Sequence, residues 1–292
     1  MEGKMSRKKA SIPMTKIFQE TMAEEMDSLG FRLVQANLIQ GITWVRLLDQ
    51  NRVVQLYRIR CIPLRGEPEM GFILKPFLFP GHYGGVDGGA WGEAWCGIWD
   101  IELYLDKKVG VADSYPLCRR LANRFYAMRE SKDAEEFEGH KAIYTAAIAN
   151  AYREHAKPHF LRGVDLESSI AEYEKIAEII FRPWQDKYGK LNFNFNRYYI
   201  GSYLYKLIYL GTGIDEYFDW VERYNNEFFD FYKFKCEDFD EKIARYKAKD
   251  VDYFMERYKR VQETNAEKLA AMLGKEKEEF PYIPPLKELK IR

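Results

Sequence analysis

Two hydrophobic periods divide the chain. Residues 14–30 read MTKIFQETMAEEMDSLG and place Ile17, Phe18, Met22, Met26 and Leu29 at helical spacing, with Glu20, Glu24 and Glu25 on the opposite face. The pattern predicts an amphipathic helix with Thr15 as N-cap and Gly30 as the residue that lets the chain reverse. From Phe31 the period becomes two. FRLVQA, ITWVRLL, RVVQLYRIRCI and GFILKPFLF follow one another across short spacers, and Asp49-Gln50-Asn51 supplies turn chemistry. Parallel strands need long crossovers, so these spacers predict an antiparallel meander. In the third run Val53, Tyr57, Ile59 and Cys61 share one face, with Gln55 among them, while Val54, Leu56, Arg58 and Arg60 share the other. A later run at 95–105, WCGIWDIELYL, sets Trp95, Trp99, Ile101, Leu103 and Leu105 against Cys96, Asp100, Glu102 and Asp106. The expected sheet has a core side holding Trp44, Trp95, Trp99 and Leu103, with the first helix packed on one face.

Beyond Asp113 the period is helical again. Leu117, Leu121, Phe125 and Met128 form one stripe. Phe137, Tyr144, Ala147, Ile148 and Ala151 form the next, which opens on a capping box of Asp133 and Glu136 and is expected to end at Pro158. Ile170, Tyr173, Ile176, Ile180 and Phe181 make a third stripe, and two aromatic-rich helices follow between 196 and 234. A long charged helix is predicted over 238–273, with a fresh start open at Asp250, and the prolines of FPYIPPLKELKIR make the tail extended. The fold class is therefore α+β: an N-terminal helix on an antiparallel sheet, then an all-helical C-terminal region. The expected divisions are a disordered basic tail (1–13), a sheet domain (14–111), a helical domain (112–280) and an extended tail (281–292).

Composition narrows the functional classes. The 45 basic and 45 acidic residues cancel, which gives no global attraction to nucleic acid or anionic membrane. Cys61, Cys96, Cys118 and Cys236 are scattered without a Cys-x-x-Cys pair and read as buried thiols of a reducing compartment. The basic N-terminus lacks the apolar stretch of a secretory signal, and no apolar run is long enough to span a bilayer. A soluble, cytoplasmic protein without cofactor is expected.

The segment at 80–100, PGHYGGVDGGAWGEAWCGIWD, holds seven glycines and three tryptophans. It matches neither the dinucleotide fingerprint, which opens a helix, nor a phosphate loop, which needs G-K-[ST]. It joins two predicted strands, and its length exceeds an ordinary hairpin loop. His82, Asp87 and Glu93 are its candidate acid, base or metal ligands, and Tyr83 and Trp91 its candidate binding residues. His155 and His159 stand four apart, a spacing that binds zinc on a helix, but Pro158 lies between them and no third ligand is evident; exposed histidines at a helix end, and no metal, are expected. Between 193 and 234 there are sixteen aromatics, four basic and six acidic residues. Base-stacking platforms interleave aromatics with cations, so this span reads as helical core or as a protein-binding surface with Tyr203, Tyr217 and Trp220 as anchors.

Leu29-Gly30-Phe31 after the first helix, and Trp44-Val45-Arg46 in an early strand, resemble a bacterial family of unknown function that pairs an amphipathic helix with an antiparallel meander. The resemblance covers about residues 14–105. It implies the fold, and it implies a setting, because related small α+β proteins serve in bacterial toxin-immunity or phage conflict. The reading is a non-enzymatic, cytoplasmic protein-binding module of immunity or inhibitor type. The alternatives are a hydrolase-like enzyme with its site at 81–93 and a nucleic-acid binder using the basic tail with Arg58 and Arg60.

Overall fold

The computed structural model describes residues 12–37, 41–62, 67–80, 96–97, 116–176, 193–232 and 237–292. Helix α1, Met14–Ser28, buries Met14, Ile17, Phe18, Met22 and Met26. It starts one residue before Thr15, with Pro13 at the cap position and no side-chain cap. Pro13 carries a fixed φ and no N–H, so it needs no partner of its own. The helix ends in a Schellman turn: Gly30 N–H donates to Asp27 C=O, Phe31 N–H to Met26 C=O, and Gly30 sits at φ 74°.

Strands β1 (Arg32–Asn37), β2 (Gly41–Leu48), β3 (Val53–Ile62) and β4 (Glu67–Pro76) form an antiparallel meander, with the short β5 (Cys96–Gly97) beside β4. The register sets Trp44 opposite Tyr57 and Tyr57 opposite Phe72. The fourth strand stops at Pro76, earlier than the sequence pattern suggested. Phe77, Leu78 and Phe79 turn away from it and are buried. Of the 95–105 run only Cys96 and Gly97 are described; they pair with Phe72 and Gly71. Trp95, Trp99 and Leu103 lie outside the described residues, as does the boundary expected near 111. Trp44 is buried, as its face requires.

The meander has no wet side at its centre. Val53, Val54, Gln55, Leu56 and Tyr57 are all buried in succession. One face, with Ile42, Trp44, Tyr57, Ile59, Phe72 and Leu74, packs on α1 and on α2 (Pro116–Glu130) and α3 (Ala134–Ala151). The other, with Val45, Val54, Leu56 and Ile73, packs on α6 (Phe193–Leu210), α7 (Ile214–Tyr232), α8 (Glu237–Lys247) and α9 (Val251–Leu273). The sheet is thus the middle layer of three. Antiparallel sheets commonly leave one face in water, and the near-continuous apolar run of β3 is what covering on both faces demands.

Asp133 caps α3, accepting from Glu136 N–H at 2.8 Å. Pro158 does not end the helical path. A π-helical segment, Tyr152–Ala156, follows α3 and leads into α4, Lys157–Arg162. The wider turn shifts the register, so Pro158 falls in the first turn of α4, where its missing N–H is not needed. Helix α5 spans 166–176. The long charged helix divides at Asp250, whose carboxylate accepts from Tyr253 N–H and caps α9; Gly274 ends α9 in the left-handed conformation. The tail is extended and fastened. Phe280, Ile283 and Leu289 are buried, Gln262 brackets the Ile283 backbone with two hydrogen bonds, and Leu286 N–H donates to Tyr209 C=O.

Candidate functional site

The glycine-rich segment and its candidates His82, Tyr83, Asp87, Trp91 and Glu93 lie outside the described residues. The three aromatic candidates of the helical region are described, and the structure brings them together. Tyr203 stands on α6, and Tyr217 and Trp220 stand on α7. The Tyr217 ring lies 6.2 Å from Tyr203 and 6.4 Å from Trp220, centroid to centroid. Tyr217 is buried and packs edge-on against Phe218, whereas Tyr203 and Trp220 stay half-buried at the surface. The amphipathic period of α7 produces this: Tyr217, Phe218 and Val221 point inward, and Glu216 and Asp219 are exposed. Lys206 sits 5.5 Å from the Tyr203 ring and pairs with Glu174. The result is an aromatic patch with a seated centre and an acidic edge.

The histidines depart from expectation. His159 is buried, not exposed, and stacks on Phe72 at 5.2 Å. Its Nδ1 faces Glu172 Oε1 at 2.6 Å; beside an ionised carboxylate that nitrogen carries the proton and donates. Arg162 donates to the same oxygen from Nε and Nη2, and Lys175 to Oε2. Burial opposes ionisation of Glu172, but the bonds from Arg162, His159 and Lys175 prevail and hold its carboxyl down at about 2. Burial lowers the His159 pKa, and Glu172 only partly offsets it. This is a fully answered ion cluster that ties α4 to α5. Sequence reasoning missed it because Glu172 lies thirteen residues away on another helix. Among the described residues no group of three His, Cys, Asp or Glu side chains is placed to hold a metal ion, and no helix is long and apolar enough to cross a membrane.

A second polar cluster lies between β2, β3 and the π-helical segment, and it is not answered. Arg46 is half-buried, with Nη1 sealed from solvent and without a hydrogen-bond partner. Tyr57 and Tyr152 bury their hydroxyls in the same condition. Arg46 pairs across the sheet with Gln55, two residues from Tyr57 on the same face, and its charge acts on the Tyr152 hydroxyl. The Tyr57 and Tyr152 rings meet edge to face at 4.9 Å. Gln55 Nε2 donates to the Phe160 and Gly163 carbonyls, both at 2.8 Å, and leaves Oε1 without a partner. At the rim Glu25 pairs with Arg153 and Lys157 at 2.5 and 2.7 Å. Arg46 had a sequence signal: it continues the face of Ile42 and Trp44, where an apolar residue is the norm.

No protein-family model, curated protein or solved structure matches this chain.

Proposed function

We propose that the chain is a non-enzymatic protein-binding module, and that its partner docks on the Tyr203–Tyr217–Trp220 patch. The juxtaposition of these three rings across α6 and α7 carries the reading. Two half-buried aromatics on a buried aromatic seat are the type of anchor that dominates protein interfaces, because they bring large area at little entropic cost. Exposed Glu216 and Asp219 at the edge favour a basic partner surface. A cytoplasmic inhibitor or immunity protein in bacterial or phage conflict is the proposed setting; such proteins act by occupying a partner's surface.

The test compares the full chain with a Tyr203→Ala/Trp220→Ala double variant in affinity capture from bacterial lysate. A basic partner retained by the wild type should be lost at least about tenfold by the variant. It should also elute as salt rises from about 0.1 to 0.5 M. Equal retention by a folded double variant would contradict the reading.

A further inference from the structure

The unanswered cluster around Arg46 stands apart from the aromatic patch, on the opposite face of the sheet. A guanidinium nitrogen sealed from water without a partner is costly, and two buried phenols without acceptors add to that cost. All three are donors: Arg46 Nη1, Tyr57 Oη and Tyr152 Oη. Proteins keep such groups satisfied almost everywhere else, so their convergence at one place calls for an acceptor. Tyr152 also opens the π-helical segment, a distortion that recurs at functional sites.

We propose that Arg46, Tyr57 and Tyr152 form a binding site for a carboxylate, with Arg46 as the charge partner and the two phenols as hydrogen-bond donors. The charge count selects the ligand. Arg46, Arg153 and Lys157 face one carboxylate, Glu25, which already bonds both Arg153 and Lys157. Three cations against one carboxylate leave two positive charges over; Arg153 is half exposed and hydrated, so the one excess charge with a nitrogen sealed from water is that of Arg46, and it calls for one negative charge. A phosphate dianion would leave a buried excess. Burial raises the pKa of both phenols, Tyr57 and Tyr152, so they remain protonated donors through the physiological range. Burial lowers that of Arg46 from a value high enough that it stays charged. The shared chemistry is a carboxylic acid, carried either by an acidic side chain of a protein or by a small free acid.

The experiment follows thermal unfolding of the full chain in sodium acetate, with sodium chloride and inorganic phosphate at matched ionic strength. The wild type should gain melting temperature with acetate and not with chloride. Tyr57→Phe and Tyr152→Phe should each raise the acetate midpoint about tenfold, the effect of losing one hydrogen bond to a charged group. Arg46→Met should abolish the acetate response while melting at or above the wild type in chloride, a result that a merely structural arginine would not give. A blocked Gly-Glu-Gly peptide that acts as acetate does marks a protein side chain as the occupant; a response to acetate alone marks a small acid. An absent acetate response, an equal one in Arg46→Met, or an equal effect of phosphate would overturn the proposal. If Arg46→Met does not fold, the two phenylalanine variants decide, and unchanged midpoints in both would overturn it.

Discussion

On the C-terminal face of the sheet, Asn265 gives both amide hydrogens to the Phe77 and Phe79 carbonyls at 2.6 and 2.7 Å, and Gln262 bonds both backbone groups of Ile283. On the N-terminal face, Arg46, Tyr57 and Tyr152 bury polar atoms that meet no partner. Both faces exclude water, so the low dielectric that strengthens the first set penalises the second. The side chains of the C-terminal face act as fasteners: they replace the hydrogen bonds that a turning strand end and an extended tail cannot make for themselves. Among the described residues the exceptions there, Tyr258 Oη and Asn225 Oδ1, stand on different helices. The contrast teaches that burial alone does not mark a site; an unanswered set at one place does.

The contrast can be broken in several ways. The largest effect is expected from Ile148→Ala on α3, fully buried in the N-terminal layer, which should cost about 2–5 kcal/mol in urea unfolding. A much smaller loss would mean that this layer is loosely held and that its orphans are simply wet. Glu172→Gln should cost about 3 kcal/mol, because it strips the charge from a buried carboxylate that answers Arg162, Lys175 and the His159 N–H. The same group sets an acid limit. Its folded pKa lies below the unfolded one, so its stabilisation is complete above about pH 4.5 and is lost as pH falls toward 2. His159, also lowered, works in the same direction, with stability falling as pH drops below about 6.5. A wild-type stability curve flat from pH 7 to 3, or unaltered in Glu172→Gln, would contradict this.

Gly163→Ala should cost about 1–3 kcal/mol, since a Cβ there would stand 2.4 Å from Leu74 Cδ1 and push the loop off Gln55. Tyr57→Phe should change stability by less than about 0.5 kcal/mol or raise it, because the hydroxyl removed has no partner. A clear loss would show that the hydroxyl is answered after all.

Much of the frame was readable from period alone. The α1 stripe, the meander order, the Asp133 cap and the Asp250 start all depend on local spacing, and local spacing is what sequence displays. The two-sided burial of β3 was visible only in part: Val54 and Leu56 hinted at it, but which layer covers them is a long-range fact. Pro158 misled because a helix stop is its usual meaning, and a π-helical turn that re-phases the chain leaves no mark in composition. His159 misled because its surroundings are set by Glu172 and Phe72, on other elements. Arg46 and Gln55 were visible as polar breaks in apolar faces. What distinguished them, one answered in part and one not at all, required the positions of Phe160, Gly163 and Tyr152.

A single urea series on Arg46→Met and Asn265→Ala, beside the wild type in chloride buffer, tests the contrast most directly. Asn265→Ala leaves two buried carbonyls without donors and should lose about 2–4 kcal/mol. Arg46→Met removes a half-buried charge whose Nη1 is sealed without a partner and should be neutral or more stable than the wild type. Opposite outcomes of this kind are the prediction. A loss in Arg46→Met as large as that in Asn265→Ala would mean that both faces are equally answered, and the distinction between them would fall.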